Sequence, residues 1–346
     1  MRGIDMIHFR NDYNDIAHPK LLGMLKNLES EAHLGYGMDL HSKHAKDLIQ
    51  KEIKQPVFIH LMTGGTSTNK IVISHILKPF EAVISASTGH IEVHETGAIE
   101  QTGHKIITIQ TEQGKLNPKQ IDKTYQHFTD EHMVKPKMVY ISNATETGMI
   151  YIKSELKAIY ETCQRLGLYL FVDGARLGVA LTSDGNDLTL DDMVTYSDIF
   201  YIGGTKNGAL LGEAVVTKHQ FFDESFRYSM KQHGGLLAKG FLVGMQFEGL
   251  FQDGLFYEIG RHANHMAKYL ISHLKSLGLD FQATPTNQQF MTLPCDIVDL
   301  LSKKYTFEIW QDFGNTKTIR LVTTYRTTEK EIDSLIKDLS NYLTKE

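Results

Sequence analysis

From about residue 55 to 215 the chain alternates between two hydrophobic patterns. Residues 56–62, 137–142, 168–172 and 199–202 are short, mostly apolar runs of strand length, the signature of strands covered on both faces. Residues 69–77 and 154–166 instead repeat apolar side chains at helical spacing. In the second of these, Leu156, Ile159, Tyr160, Cys163 and Leu166 share one face. The alternation predicts a mostly parallel sheet between helices. In such sheets ligands gather beyond the carboxyl ends of the strands.

The texture changes near residue 255. Residues 258–277 predict a long helix with Met266, Leu270, Leu274 and Leu277 inward, stopped by Gly278. Strands at 289–293 and 319–323 follow. A last helix opens on a capping box, Thr328 with Glu331, and presents Ile332, Leu335, Ile336, Leu339 and Leu343 along one stripe. A large domain over residues 1–250 and a smaller α+β domain over 251–346 follow from this. The first 50 residues or so are expected to pack on the small domain or on a partner subunit. There is no internal repeat, low-complexity tract or long linker.

Composition narrows the classes. The 346 residues are 41% hydrophobic and 22% charged, with a formal charge of -5, so no basic excess favours nucleic acid. No run approaches the roughly 18–20 apolar residues of a membrane helix. Acidic and aromatic residues come too early for a secretory signal. Cys163, on the apolar stripe of its helix, reads as a reduced core thiol, and the expected setting is cytoplasmic.

Three segments carry candidate chemistry. Val172-Asp173-Gly174-Ala175-Arg176 follows a predicted strand. It sets a carboxylate at the strand end and, three residues on, a guanidinium whose planar fork suits a carboxylate or phosphate. A helix-capping aspartate beside a surface arginine would use the same letters. Gly203-Gly204-Thr205-Lys206-Asn207-Gly208 places a glycine-flanked lysine past a buried strand, where its amine can be desolvated into a Schiff-base nucleophile. The segment lacks the Walker spacing. Thr63-Gly64-Gly65-Thr66-Ser67-Thr68-Asn69 lies between a predicted strand and helix, where amides, hydroxyls and the helix dipole converge on an anion. An anion cradle, an acidic strand end and a buried lysine together supply what pyridoxal 5'-phosphate (PLP) requires.

Further segments fit this set in order: Phe9-Arg10-Asn11-Asp12, Ala17-His18-Pro19, Tyr36-Gly37-Met38-Asp39, His90-Ile91 through Glu95-Thr96-Gly97-Ala98, Thr145-Glu146-Thr147-Gly148, His262-Ala263-Asn264 and Ile319-Arg320-Leu321. Over nearly its whole length the chain resembles the β-eliminating-lyase/threonine aldolase group of PLP fold type I, and within it the low-specificity L-threonine aldolases. The resemblance implies PLP as cofactor, a small amino-acid substrate and a homodimer or homotetramer. It casts Lys206 as the imine-forming lysine and Asp173 as the partner of the pyridine nitrogen. Gly65, Thr66 and Ser67 would hold the phosphate, helped by Arg227 or Lys231, and His90 would stack on the ring. Asn143 would contact the ring hydroxyl. Arg176 and Arg320 would hold the substrate carboxylate, with Asn11 and Tyr36 beside it.

One departure stands out. Where many members carry a histidine near the substrate hydroxyl, this chain reads Asn143-Ala144-Thr145-Glu146. Glu146, His90 or a water between them remain as the base. The implied reaction is retro-aldol cleavage of a β-hydroxy-α-amino acid to glycine and an aldehyde. β-Elimination, transamination and racemisation use the same cofactor, and a non-catalytic PLP-binding protein is the alternative of another class. His90 and His94 have a zinc-compatible spacing, but no third ligand stands at a telling distance, so no metal is expected.

Overall fold

In the computed structural model, which describes residues 6–28, 32–279 and 281–343, seven strands form one sheet. Their spatial order is Phe58–Met62, Glu213–Thr217, Ile199–Gly203, Tyr169–Asp173, Lys135–Ser142, Glu81–Ala86 and Ile106–Ile109. Six run parallel, and Glu213–Thr217 is antiparallel to both of its neighbours. Val83, Met138, Tyr140, Phe171, Ile199, Tyr201 and Val215 pack into one helical layer. Ile84, Val139, Ile141, Leu170, Val172, Phe200, Ile202 and Val216 pack into the other. With both faces dry, the strands show no polar alternation, and each large buried aliphatic contributes roughly 1.5–3 kcal/mol.

The helix expected from residue 69 starts earlier, at Gly65, and runs as Gly65–Ile76. Its Gly-Thr-Ser-Thr opening has the letters of a loop. The Ser67 and Thr68 hydroxyls nevertheless turn back onto the Gly64 carbonyl at 2.9 Å each, so the polar side chains support the first turn. Lys153–Leu166 buries Leu156, Ile159 and Cys163 as its periodicity requires. It ends on Gly167 in the left-handed region (φ 66°).

A second sheet of four strands is antiparallel, in the order Glu308–Asp312, Thr316–Val322, Gln288–Pro294 and Phe281–Gln282. Leu255–Ser276, Cys295–Leu301 and Glu329–Leu343 close a separate core on it, with Met266, Leu270, Leu274, Ile332, Leu335 and Leu339 inside. The last helix opens as predicted: the Thr328 amide donates to Glu331 Oε2 at 2.8 Å, and the Glu331 amide to Thr328 Oγ1 at 3.3 Å.

The N-terminal segment joins both parts. Ile7–His8 pairs in parallel with Tyr305–Thr306, and Phe9 is buried in the second core. His18 then donates its amide to the Gly208 carbonyl at 2.8 Å, reaching the lysine loop. His262 and Asn264 are structural ties: His262 Nε2 meets the Thr327 carbonyl at 2.9 Å, and Asn264 Nδ2 donates to the Val179 carbonyl at 2.9 Å. Among the described residues no helix is long and apolar enough to cross a membrane.

Candidate active site

Asp173 is the last residue of its strand, and Lys206 sits in the single 3-10 turn Thr205–Asn207 after the next. The two turns touch, the Gly203 amide donating to the Gly174 carbonyl at 2.9 Å. This closeness demands glycine on both sides. A Cβ on Gly174 would fall 1.8 Å from the Tyr201 carbonyl oxygen, and one on Gly203 would fall 2.2 Å from that of Ala175.

Asp173 is buried and fully engaged. Its carboxylate accepts from the Tyr140 hydroxyl at 2.5 Å, Asn69 Nδ2 at 3.1 Å and the Ala175 amide at 2.9 Å. Burial alone would raise this carboxyl. The charge of His90 and the hydrogen bonds from Tyr140, Tyr201 and Ala175 outweigh it and hold the group below the usual carboxylate range. Asn69 Nδ2 also reaches Glu95 Oε1 at 2.8 Å, and that same oxygen meets His90 Nδ1 at 2.8 Å. His90 is thereby oriented by a fully buried carboxylate that shares an amide with Asp173. Beside them the Asn143 amide donates to the Asp173 carbonyl at 2.9 Å, and Asn143 Nδ2 is buried with no partner.

Above this network lies a cavity of about 780 Å³, whose walls include Asn11, His90, Glu146, Arg176, Lys206 and Arg320. Burial, reinforced by the nearby Arg176 charge, lowers the Lys206 ammonium pKa below that of an ordinary lysine. The Tyr13 ring centroid is 5.9 Å from its Nζ. Glu146 accepts from the His90 amide at 3.1 Å and the Ser142 hydroxyl at 2.8 Å. Burial, with Asp173 close by, raises its pKa.

The two arginines differ. The fork of Arg176 is taken by Asp12: Nε to Oδ2 at 2.8 Å and Nη2 to Oδ1 at 2.9 Å, with both side chains buried. Two of the guanidinium nitrogens of Arg176 are thus engaged within the chain, while the residue still lines the cavity. Asp12, immediately before Tyr13-Asn14 in the N-terminal segment, claims them, and Arg176 reaches the cavity as the paired member of a buried ion pair. Arg320 has no such partner. Its Nη1 lies 3.4 Å from Gln288 Oε1, its Nε is buried and unpaired, and no ion pair among the described residues includes it.

Gly65, Thr66 and Ser67 form the first turn of their helix, ahead of its first backbone hydrogen bond, Thr68 N–H to the Gly64 carbonyl at 3.0 Å. Tyr36, Arg227 and Lys231 come together elsewhere. Arg227 Nη2 donates to the Tyr36 carbonyl at 3.1 Å, and Lys231 Nζ stands 4.6 Å from the Tyr36 ring centroid. Tyr36 and Arg227 line a second, much smaller cavity with Lys46, His60 and Thr63. The expected grouping of these three with Lys206 is thus not seen within one chain. The helix of Arg227 and Lys231, Gln220–Gln232, packs on Gly65–Ile76 through His75, which bonds Ser229 at 2.8 Å.

Sequence reasoning missed Asp12, Asn69, Glu95 and Tyr140 as members of the site. The first three stood inside motifs already singled out, so their polar side chains within those motifs were the available signal. Tyr140 reads as one more aromatic in a buried strand and offers none. Among the described residues no group of three His, Cys, Asp or Glu side chains is placed to hold a metal ion.

Comparison with known proteins agrees with this geometry. A Leishmania major threonine aldolase structure superposes with a TM-score of 0.95 at 41% identity, covering 97% of this chain and 99% of that one. The low specificity L-threonine aldolases of Pseudomonas sp. (strain NCIMB 10558) and Pseudomonas aeruginosa are 36% and 34% identical over 68% of the chain, and over 69% and 68% of their own lengths. Thermus thermophilus aspartate aminotransferase, at 15% identity and a TM-score of 0.76, shares the fold over 98% of this chain and 92% of that one. The sequence pattern of the beta-eliminating lyases spans residues 24–295, and the chain belongs to that family.

Proposed function

We propose that the protein is a PLP-dependent carbon–carbon lyase, a low-specificity L-threonine aldolase that cleaves L-threonine, L-allo-threonine and related β-hydroxy-α-amino acids to glycine and an aldehyde. The observation that carries the reading is one cavity holding a half-buried lysine with a lowered pKa, above a buried carboxylate, and an arginine that makes no ion pair among the described residues. The relatives named for this activity support it.

The residues present fit the cofactor. Lys206 is desolvated, so more of its amine is free to attack a carbonyl. Asp173 is an anion at the depth a pyridine nitrogen would reach, and Asn143 Nδ2 is a buried donor awaiting an acceptor. The first-turn amides of Gly65, Thr66 and Ser67 suit a phosphate. When bound, PLP supplies an electron-accepting ring and an imine carbon. Asp173 would keep a proton on the ring nitrogen. Arg320, with Arg176 beside it on the cavity wall, would bind the substrate carboxylate and so orient the bonds at Cα. His90, held at Nδ1 by Glu95, would pack on the cofactor. Glu146 or His90, directly or through water, takes the β-hydroxyl proton.

Exposed Ile16, Leu34, Met38 and Leu40 along the N-terminal segment support a homodimer or a pair of dimers. The two unbridged thiols, Cys163 and Cys295, suit a reducing cytoplasm. The test is acetaldehyde release from both threonine diastereomers by protein reconstituted with PLP. Lys206→Ala is expected to abolish both the release and the near-visible absorption band. Absence of acetaldehyde from either diastereomer refutes the aldolase reading, and a keto acid product would point to elimination or transamination instead.

A further inference from the structure

Arg320 is a half-buried cation that makes no ion pair among the described residues. Burial and the neighbouring Arg176 lower its pKa, and the charges of Asp12 and Glu308 offset this only in part. Besides the long bond to Gln288 Oε1 at 3.4 Å, its support is an aromatic face: Arg320 Cζ lies 5.2 Å from the ring centroid of Trp310. That ring is in turn fixed edge-on by Phe290, with centroids 5.1 Å apart and an interplanar angle of 69°. Both Phe290 and Glu308 lie directly opposite Arg320 in the ladder.

The strand makes a local exception to reach this arrangement. Ile309 pairs with Ile319 and Gln311 with Thr318, so Trp310 is the extra residue of a β-bulge. A bulge re-aims the side chain it carries. Here Glu308, Ile309 and Trp310 all line the cavity, whereas strict alternation would turn one of three successive residues away. We propose that Trp310 is a positioning residue for Arg320, its ring face supporting a guanidinium that makes no ion pair and holding the fork toward an incoming carboxylate. This rests on the assignment of Arg320 as the substrate-carboxylate site.

Trp310 is the chain's single tryptophan, so the protein reports on this contact directly. In the holoenzyme, glycine is expected to change the Trp310 fluorescence. With the cofactor's absorption as the binding signal, Trp310→Leu should weaken glycine about 3- to 30-fold, the range of a cation–π contact, and Trp310→Phe should recover part of the loss. KM for L-threonine should rise in step while kcat changes less. Glycinamide, which keeps the amine and lacks the carboxylate, should bind both variants like the wild type. Equal weakening of glycine and glycinamide, or no advantage of Phe over Leu, overturns the assignment, and the Phe variant alone decides it if the Leu variant does not fold. The two readings separate cleanly. If no acetaldehyde forms but glycine affinity still follows residue 310, the aldolase reading falls and this one stands. If acetaldehyde forms and glycine affinity ignores residue 310, the reverse holds.

Discussion

Replacing Asp12 by Asn tests whether the Arg176 ion pair holds the N-terminal segment over the cavity. Asn keeps the shape and removes the charge, leaving a guanidinium whose side chain is 7% exposed without its carboxylate. Arg176 loses two short charge-assisted bonds, at 2.8 and 2.9 Å, and the new amide can turn a donor toward it. Breaking one side of a buried pair costs about 3–5 kcal/mol. With a urea dependence near 3 kcal/mol per molar, the unfolding midpoint should fall by about 1–1.7 M, followed by far-UV circular dichroism. Adding Arg176→Met removes the stranded charge, so the double variant should regain about half of the loss or more, a coupling that a double-mutant cycle reads directly. A midpoint shift below about 0.3 M, or a double variant as weak as the sum of the singles, would refute the reasoning.

Two further outcomes follow from buried carboxyls. Glu213 accepts the Gly204 amide at 3.0 Å behind the lysine loop, and burial raises its pKa to about 8. A raised folded pKa means that its stabilising contribution is full below the ordinary value of 4.5 and is lost as pH climbs toward 8. The stability of Glu213→Gln relative to wild type should therefore grow by about 4 kcal/mol between pH 5 and 8, and an equal difference at both pH values would contradict this. Glu146, also raised by burial, must be ionised to act as base. The acidic limb of log kcat/KM should lie above pH 4.5 and vanish in Glu146→Gln, whereas a surviving limb assigns the proton to His90 or water.

The parallel sheet was legible because its strands are apolar on both faces, and the two that stop at Asp173 and Gly203 also marked Asp173 and Lys206. Trp310 and Arg320 were harder. A bulge leaves no trace in local hydrophobic periodicity, and Arg320 looks the same in sequence whether or not a carboxylate faces it. Arg176 shows the converse: its partner lies 164 positions away, where no spacing rule reaches. The reversed direction of Glu213–Thr217 was equally hidden, since an antiparallel strand inside a sheet covered on both faces is as apolar as its parallel neighbours.

The pairing of Ile7–His8 with Tyr305–Thr306 sets a timetable for synthesis. The partners are separated by 298 positions, so at roughly 5–20 residues per second the N-terminal strand waits about 15–60 s for its mate to be made. Until then Phe9 has no core to enter, and Asn11 and Asp12 are not fixed above Arg176. Chains halted on the ribosome before residue 300 can already join the Asp173 and Lys206 turns, yet they leave the cavity without its N-terminal wall and without Arg320. Completion of the cavity thus comes late, once the segments around His8 and Thr306 have met.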